Sequence, residues 1–453
     1  MPAPSARLCC RLRVGPFRSL HNRRYISCSA VLDPSWKLRV ARLLDRGDWL
    51  LQDPAVPLTS ILLPSGARMT IIRDDLTHPL LGGNKLRKLD GLWADVVGQA
   101  ADVVTCGGLQ SAHTVAVAAA CAERGRRAHL LVRGERPAVP TGHHLYARML
   151  AHRLEYIPRA EYADRGAMFA GYLERLQREH EAGGSSGAGS GASTNAGAGG
   201  RSESSSSRAS GSVAVIPEGA ACSAALLGLV RLVAWLAQHS DLAGDSSSRA
   251  DSNKAGGSGQ RGGSRVHIVV DSGTGATATG VALGAALLGL PWHVTGVCLA
   301  GPISYYQQQQ EELTAAFCSQ QWAPTGEAAA GAAAADAAAV QREVVGRLSW
   351  LPRQVPRRFG KVLPGEVAAC RAVAQRHGVL LDPIWSLAAW EAASQAAEAA
   401  AAAARCGDQS GRGSGAGSSS GGGYAGGPEL VAMLHTGGHL GLCGLAQRHP
   451  DEF

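Results

Sequence analysis

Two glycines, an asparagine and a lysine stand together at Gly82-Gly83-Asn84-Lys85, and the run continues Leu86-Arg87-Lys88-Leu89. The glycines permit a tight turn, and Leu86, Leu89 and Leu92 recur at helical spacing, which predicts Lys85 just inside a helix N-terminus. The positive end of a helix lowers the pKa of an amine there, and a neutral amine is what Schiff-base chemistry requires. Taken alone, the same residues also fit a solvated basic helix start.

A second run, Asp271-Ser272-Gly273-Thr274-Gly275-Ala276-Thr277-Ala278-Thr279-Gly280, follows the apolar stretch Val266–Val270. Small residues there expose successive backbone N–H groups, and Thr274 and Thr277 add hydroxyls, as a phosphate cradle at a helix N-terminus would. The glycine spacing is neither that of a dinucleotide fingerprint nor that of a P-loop. A plain strand-to-helix turn is the alternative. The third run is Gly107-Gly108-Leu109-Gln110-Ser111-Ala112-His113. Ser111 suits an N-cap, and a hydroxyl beside free N–H groups could equally receive a substrate carboxylate. His113 alone reads as a hydrogen-bonded interior histidine. Near the C-terminus, the runs Leu381–Ser386 and Met433–Gly438 read as strands or strand-end turns. His435 and His439 are four apart, but Gly437 and Gly438 between them argue against a helix offering both to a metal, so no metal is expected.

Elements that could position these residues alternate along the chain. Asp102–Thr105, Ala128–Val132, Val266–Val270 and Trp292–Leu299 read as strands, with helices predicted over about 112–124 and 280–288. Strand–loop–helix–strand units imply parallel sheets with right-handed crossovers, hence an α/β fold. Four stretches break the pattern: 183–212, 244–264, 326–339 and 406–427. They are rich in Gly, Ser or Ala and are expected to be disordered insertions, although the alanine-rich 326–339 could be helical.

The net charge of +8 invites a nucleic-acid reading, but residues 1–32 hold six arginines and no acid, and the remainder carries only +2. No basic stripe interleaves with aromatics, so nucleic acid is not an expected partner. The arginine-rich, acid-free start reads as a transit peptide over 1–32, mitochondrial by the Arg23-Arg24-Tyr25 step, with a plastid as the alternative. No apolar run reaches the ~18–20 residues of a membrane span, so no membrane partner is expected. Of the eleven cysteines, three lie in this leader and the rest form no CxxC pair, which speaks against a disulfide framework or a zinc site.

In combination, these residues resemble the D-cysteine desulfhydrase and 1-aminocyclopropane-1-carboxylate deaminase family of fold-type II pyridoxal-phosphate enzymes, over roughly 57–445. The family's GGNKxRKL motif falls on Gly82–Leu89, its IQSNH segment on Leu109–His113, its glycine–threonine loop on Gly273–Thr277, its IPEGGSN segment on Ile216–Cys222, LDPVYTGK on Leu381–Ala388 and HTGG on His435–Gly438. The resemblance implies a tryptophan synthase beta-like fold of two three-layer α/β domains with mostly parallel sheets. The large, cofactor-binding domain would comprise 33–89 and 206–453, and the small one 90–205. It implies pyridoxal 5′-phosphate carried on Lys85 and held by Asn84, Gly273, Thr274, Gly275, Ala276, Thr277, Ser386 and Thr436. Lys85 and Ser111 would be catalytic, and Gln110, Ser111, Ala112, His113 and Trp385 would meet a small amino-acid substrate. A homodimer is the expected assembly.

The chain departs from the family pattern at Ala112, where the family has asparagine, and at Trp385 and Phe359, where it has tyrosines. The resemblance makes Ser386 the residue facing the pyridine nitrogen, where the desulfhydrase branch has a hydroxyl and the deaminase branch a glutamate. The expected reaction is therefore β-elimination from D-cysteine or a related small amino acid, giving pyruvate, ammonia and hydrogen sulfide. Deamination of 1-aminocyclopropane-1-carboxylate is the alternative within the family. A weakly active, cofactor-binding regulatory homologue is the alternative outside enzyme function.

Overall fold

The computed structural model describes residues 34–80, 82–185, 212–239, 242, 265–322, 330–410 and 429–453. Helix α1 (Pro34–Leu44) leads to an antiparallel pair, β1 (Leu58–Leu62) and β2 (Arg68–Ile72), and then to α2 (Asn84–Leu92). Strands and helices alternate next: β3 (Asp102–Gly108), α3 (Ala112–Glu123), β4 (Arg127–Arg133), α4 (Gly142–Leu150), β5 (Arg153–Ile157), α5 (Arg159–Ala163), α6 (Arg165–Ser185) and β6 (Val213–Ile216). After α7 (Ser223–His239) come β7 (Val266–Ser272), α8 (Ala276–Leu287), β8 (Trp292–Cys298), α9 (Ile303–Gln320) and α10 (Ala330–Arg347). The chain ends with β9 (Leu348–Pro352), α11 (Glu366–His377), α12 (Ser386–Ser410), β10 (Leu430–Leu434) and α13 (Gly441–Arg448).

The strands form two sheets. One runs β5-β4-β3-β6 and is parallel throughout; the other runs β1-β2-β10-β7-β8-β9 and is parallel except for β1. A strand such as Val266–Val270 can be apolar on consecutive residues only if both faces are covered. Ile268 and Val270 pack beneath α7 and α8, while Val269 points the other way with Met433 and Ile71 into the layer under α12. The four-stranded sheet repeats the arrangement. Val103, Leu130 and Val132 face α2 and α3, and Val104, Cys106 and Leu131 face α5 and α6. Each sheet is thus the middle of a three-layer α/β stack, as expected from the sequence.

Helix α2 joins the two stacks and crosses α7 at backbone contact. A Cβ at Gly228 would lie 1.8 Å from the Arg87 carbonyl oxygen, and one at Gly91 would lie 2.5 Å from that of Ala224. Only glycine allows this approach. Arg87, wholly buried, donates to Asp74 at 2.7 Å and to the Pro54 carbonyl at 2.8 Å. Such a pair must be kept whole, since a lone buried charge is costly.

The fold revises several expectations. Residues 330–339, expected within a disordered insertion, form the first part of α10. Alanine favours helix, Val340 and Val344 bury against the core, and Asp336 pairs with Arg39. Residues 183–185 and 406–410 likewise continue α6 and α12. The predicted helix at 280–288 begins four residues earlier, at Ala276, because its small first-turn residues read as loop. Leu381–Ser386 holds no strand; Asp382 caps the start of α12 by accepting from the N–H groups of Ile384, Trp385 and Ser386. β6, at 213–216, pairs with β3 and therefore places in the smaller stack a strand beyond its expected end at 205. The leader at 1–32 and the rest of the three Gly/Ser-rich insertions lie outside the described residues.

Candidate active site

Lys85 is the second residue of α2, and the turn before it is tied on both sides. The Gly83 N–H donates to the Asp74 carbonyl at 2.6 Å, and the Asn84 N–H donates to that of Thr436 at 3.3 Å. Gly83 has φ +89°, and a Cβ on it would fall 1.9 Å from the Thr436 oxygen. The segment His435–Gly438 after β10 therefore lies directly against the lysine turn.

Lys85 keeps a partial opening, yet its amine is enclosed deeply enough that burial lowers its pKa, with the Asp271 carboxyl opposing the shift. Burial is the leading cause of the shift, which runs in the direction expected from sequence. Lys85 Nζ donates to Asn84 Oδ1 at 3.1 Å, and Asn84 Nδ2 donates to Thr277 Oγ1 at 2.9 Å. Lysine and glycine loop are thus linked through a single asparagine. Lys88, one turn on, is also buried; its amine donates to the Gly219 carbonyl at 3.0 Å, and burial holds its pKa well below the usual range.

The loop Ser272-Gly273-Thr274-Gly275 ends β7 and starts α8. Gly275 caps the helix at φ +79° and offers no side-chain acceptor, so the first N–H groups of α8 stay available to an anion. A Cβ at Gly273 would lie 2.9 Å from the Trp385 ring. The Ser272 hydroxyl is buried without a protein partner among the described residues. Thr274 faces Gly219, and Ala276 and Thr277 are buried in the first turn of α8. Thr436 donates to Asp271 at 2.6 Å; burial raises this carboxyl to about 6, against that hydrogen bond. Sequence reading passed over Asp271 as part of its loop, although an acid closing a buried strand is itself a signal.

Ser111 caps α3, accepting from the Thr114 N–H at 3.4 Å, with Ala112 opening the helix behind it. Gln110 acts as a brace: its Nε2 donates to the Thr141 carbonyl at 3.0 Å and its Oε1 accepts the His143 N–H at 3.1 Å. His113 is interior. Thr105 donates to the Ile216 carbonyl, so the histidine donates from Nε2 to Thr105 at 2.9 Å, and its Nδ1 has no hydrogen-bond partner among the described residues. Trp385 forms an edge-to-face pair with Phe359, centroids 4.9 Å apart. Ser386 is fully buried, and its hydroxyl is engaged by Asp382, donating to Oδ2 at 2.9 Å and accepting its N–H at 2.7 Å.

Burial, then the charges of Lys85 and Lys88, push His113 down to about 3. Below pH 6.5 the unfolded chain therefore binds a proton that the folded one does not, and stability falls as pH drops toward 3. His113 alone should cost about 2 kcal/mol between pH 6.5 and 5. Denaturant unfolding at pH 7 and pH 5 should show that His113→Gln, which keeps a donor for Thr105, loses correspondingly less; an identical loss in both proteins would contradict this.

Among the described residues, no cluster of three or more His, Cys, Asp or Glu could hold a metal ion, and no helix is long and apolar enough to cross a membrane. No protein-family model matches the chain. A crystal structure described as that of an "ACC deaminase homologue" superimposes with a TM-score of 0.57 at 20% identity, covering 93% of this chain and 100% of the other. The architecture is that of the fold-type II pyridoxal-phosphate enzymes. A rice (Oryza sativa subsp. japonica) protein named "Putative D-cysteine desulfhydrase 2, mitochondrial" is 35% identical over 458 residues, spanning 91% of this chain and 95% of its own. A Pyrococcus horikoshii protein named "Putative 1-aminocyclopropane-1-carboxylate deaminase" is 26% identical over 74% of this chain and 81% of its own. An Arabidopsis thaliana protein named as a mitochondrial bifunctional D-cysteine desulfhydrase and 1-aminocyclopropane-1-carboxylate deaminase is 37% identical over 126 residues, 26% of this chain and 31% of its own. The chain belongs to the D-cysteine desulfhydrase and 1-aminocyclopropane-1-carboxylate deaminase family of pyridoxal-phosphate-dependent enzymes.

Proposed function

We propose that the protein holds pyridoxal 5′-phosphate on Lys85 and catalyses β-elimination of D-cysteine, or a related small amino acid, with water to pyruvate, ammonia and hydrogen sulfide. The observation that carries this reading is the Lys85–Asn84–Thr277 chain of hydrogen bonds, which joins a buried amine to a glycine loop at an uncapped helix N-terminus. The donor set fits the cofactor: an amine for its aldehyde, and for its phosphate the N–H groups of α8, Thr274, Thr277 and the unpartnered Ser272 hydroxyl. Gly273 and Gly275 let the loop backbone pass close to the Trp385 ring and to the Trp350 and Tyr306 rings, where a Cβ would come within 2.9 and 3.3 Å. Bound there, the cofactor supplies an electron sink for the charge left at the substrate α-carbon.

The chain's own groups do the rest. Lys85 Nζ, biased toward the neutral amine, removes the α-proton. Ser111 and the first N–H groups of α3 receive the carboxylate. Trp385 and Phe359 wall the site with apolar surface and supply no phenol. Ser386 keeps a neutral hydroxyl where the family's deaminase branch has a glutamate, which favours desulfhydration over opening of the cyclopropane acid. Placement in the mitochondrion is supported by the arginine-rich leader and by the names of the rice and Arabidopsis relatives. A homodimer is proposed from family membership alone.

The test is a spectral titration of the purified protein with D-cysteine, L-cysteine, D-serine and 1-aminocyclopropane-1-carboxylate, with sulfide and ammonia measured alongside. The reading expects a visible absorbance band from bound cofactor and sulfide from D-cysteine. Ammonia from the cyclopropane acid alone would establish the deaminase activity instead. A band with no product from any substrate would indicate a binding homologue.

A further inference from the structure

At the seam between the two stacks, His143 at the start of α4 is a buried side chain, 6% exposed, with no hydrogen bond to either ring nitrogen among the described residues. Its Nδ1 is fully enclosed. Leaving such a group without a partner is costly, so its partner must come from outside the described residues, as a water or a ligand. The surroundings indicate which ligand. The backbone N–H of His143 is held by Gln110, the residue before Ser111, so the main chain at His143 is tied to the turn that carries Ser111. From the larger stack, the 438–441 turn comes up against the ring: a Cβ on Gly441 would lie 3.7 Å from Cε1 and 3.8 Å from Nδ1 of His143. Lys85 and His439 are the charged or titratable groups close enough to act on the imidazole, which burial, then His439 and Lys85, lowers to about 4.

We infer that His143 receives the protic β-substituent, thiol or hydroxyl, of the amino-acid substrate. This rests on the function proposed above. Of the polar groups on such a substrate, the amine goes to the cofactor and the carboxylate to Ser111, which leaves the β-substituent. Phe359 and Trp385 offer it no oxygen, and the Tyr306 hydroxyl beside the glycine loop is taken up by the Ser272 carbonyl and the Leu299 and Ala300 N–H groups. His113, whose Nδ1 is also unpartnered, is held inside the smaller stack by Thr105, whereas His143 stands between the stacks. A neutral imidazole suits the role: according to its tautomer, the nitrogen that faces the substrate accepts from a thiol or hydroxyl or donates to the heteroatom. It lacks the charge that a carboxylate site would call for.

The test compares D-cysteine with D-2-aminobutyrate, which carries a methyl group where the thiol stands, and runs the L enantiomers in parallel. Dissociation constants come from absorbance titration or calorimetry of the cofactor-loaded full-length protein. The wild type is expected to favour the cysteine, and His143→Leu to erase roughly a 5- to 10-fold preference, the worth of one neutral hydrogen bond. Binding of 2-aminobutyrate and the cofactor absorbance should be unchanged, and His143→Gln should restore part of the preference. His143→Ala serves if leucine prevents folding. A wild type without the preference, a preference that survives the substitution, or equal weakening of both ligands would overturn the inference. A wild type that shows the preference, and loses it in the variant, yet releases no sulfide would instead remove the D-cysteine reaction and leave His143 as the recognition group.

Discussion

Lys85→Ala is expected to abolish the visible absorbance of the protein loaded with pyridoxal phosphate and to lower turnover by roughly 10³-fold or more. The size follows from two losses in one substitution, the anchor and the base. Asn84 also loses the amine at its Oδ1, so its hold on Thr277 is left with one end free. Lys88 stands one turn away and cannot stand in. Its amine is bound to the Gly219 carbonyl and enclosed, and reaching the cleft would break that bond and leave the carbonyl bare. Absorbance and sulfide release together check this. A coloured Lys85→Ala protein would move the anchor elsewhere.

Gly83→Ala should be nearly as damaging, through the backbone. The new methyl would need to occupy a point 1.9 Å from the Thr436 oxygen and 2.4 Å from its carbon, at a φ of +89°. The conformational penalty alone is about 1 kcal/mol, and overpacking adds ~1–3 kcal/mol even where neighbours are flexible side chains. Here the neighbour is main chain on both sides, so a loss of at least ~3 kcal/mol is expected, with the Asn84–Thr436 hydrogen bond broken. Gly66 supplies the control: its φ is +79°, and nothing lies within 4 Å of the added carbon. Thermal unfolding and cofactor affinity should separate the two variants. If Gly83→Ala is no worse than Gly66→Ala, the close approach of the two turns is not what holds the lysine.

Much of this was legible in the residues. Ile268, Val269 and Val270 could be apolar in succession only as part of a strand buried on both faces, and the glycines after it read as a turn. What stayed hidden was whatever depends on pairs distant in sequence. α8 was placed late because Ala276–Thr279 carry no apolar stripe; their burial comes from α7 and β7, which no local window contains. Residues 330–339 looked like a linker because alanine declares no face, and the face is set by Val340, Val344 and the ion pair to Arg39. His143 had no motif around it. Its significance lies in what it fails to bond, and that is visible only once α4 and the 438–441 turn meet. Asp271 was read as loop, although its carboxyl lies beside Lys85 and Thr436.

The glycine contacts between α2 and α7 fix more than a crossing distance. With Arg87 against Gly228 and Gly91 against Ala224, α2 can neither slide along its neighbour nor roll upon it, so the position of the amine is not an adjustable quantity. On the function proposed above, selectivity would then be retuned at side chains outside α2, such as Phe359, Trp385 and His143. Under that proposal the anchor sits on a fixed helix and the selecting side chains lie outside it, so a substitution that changes the preferred substrate can leave the position of the lysine backbone unchanged.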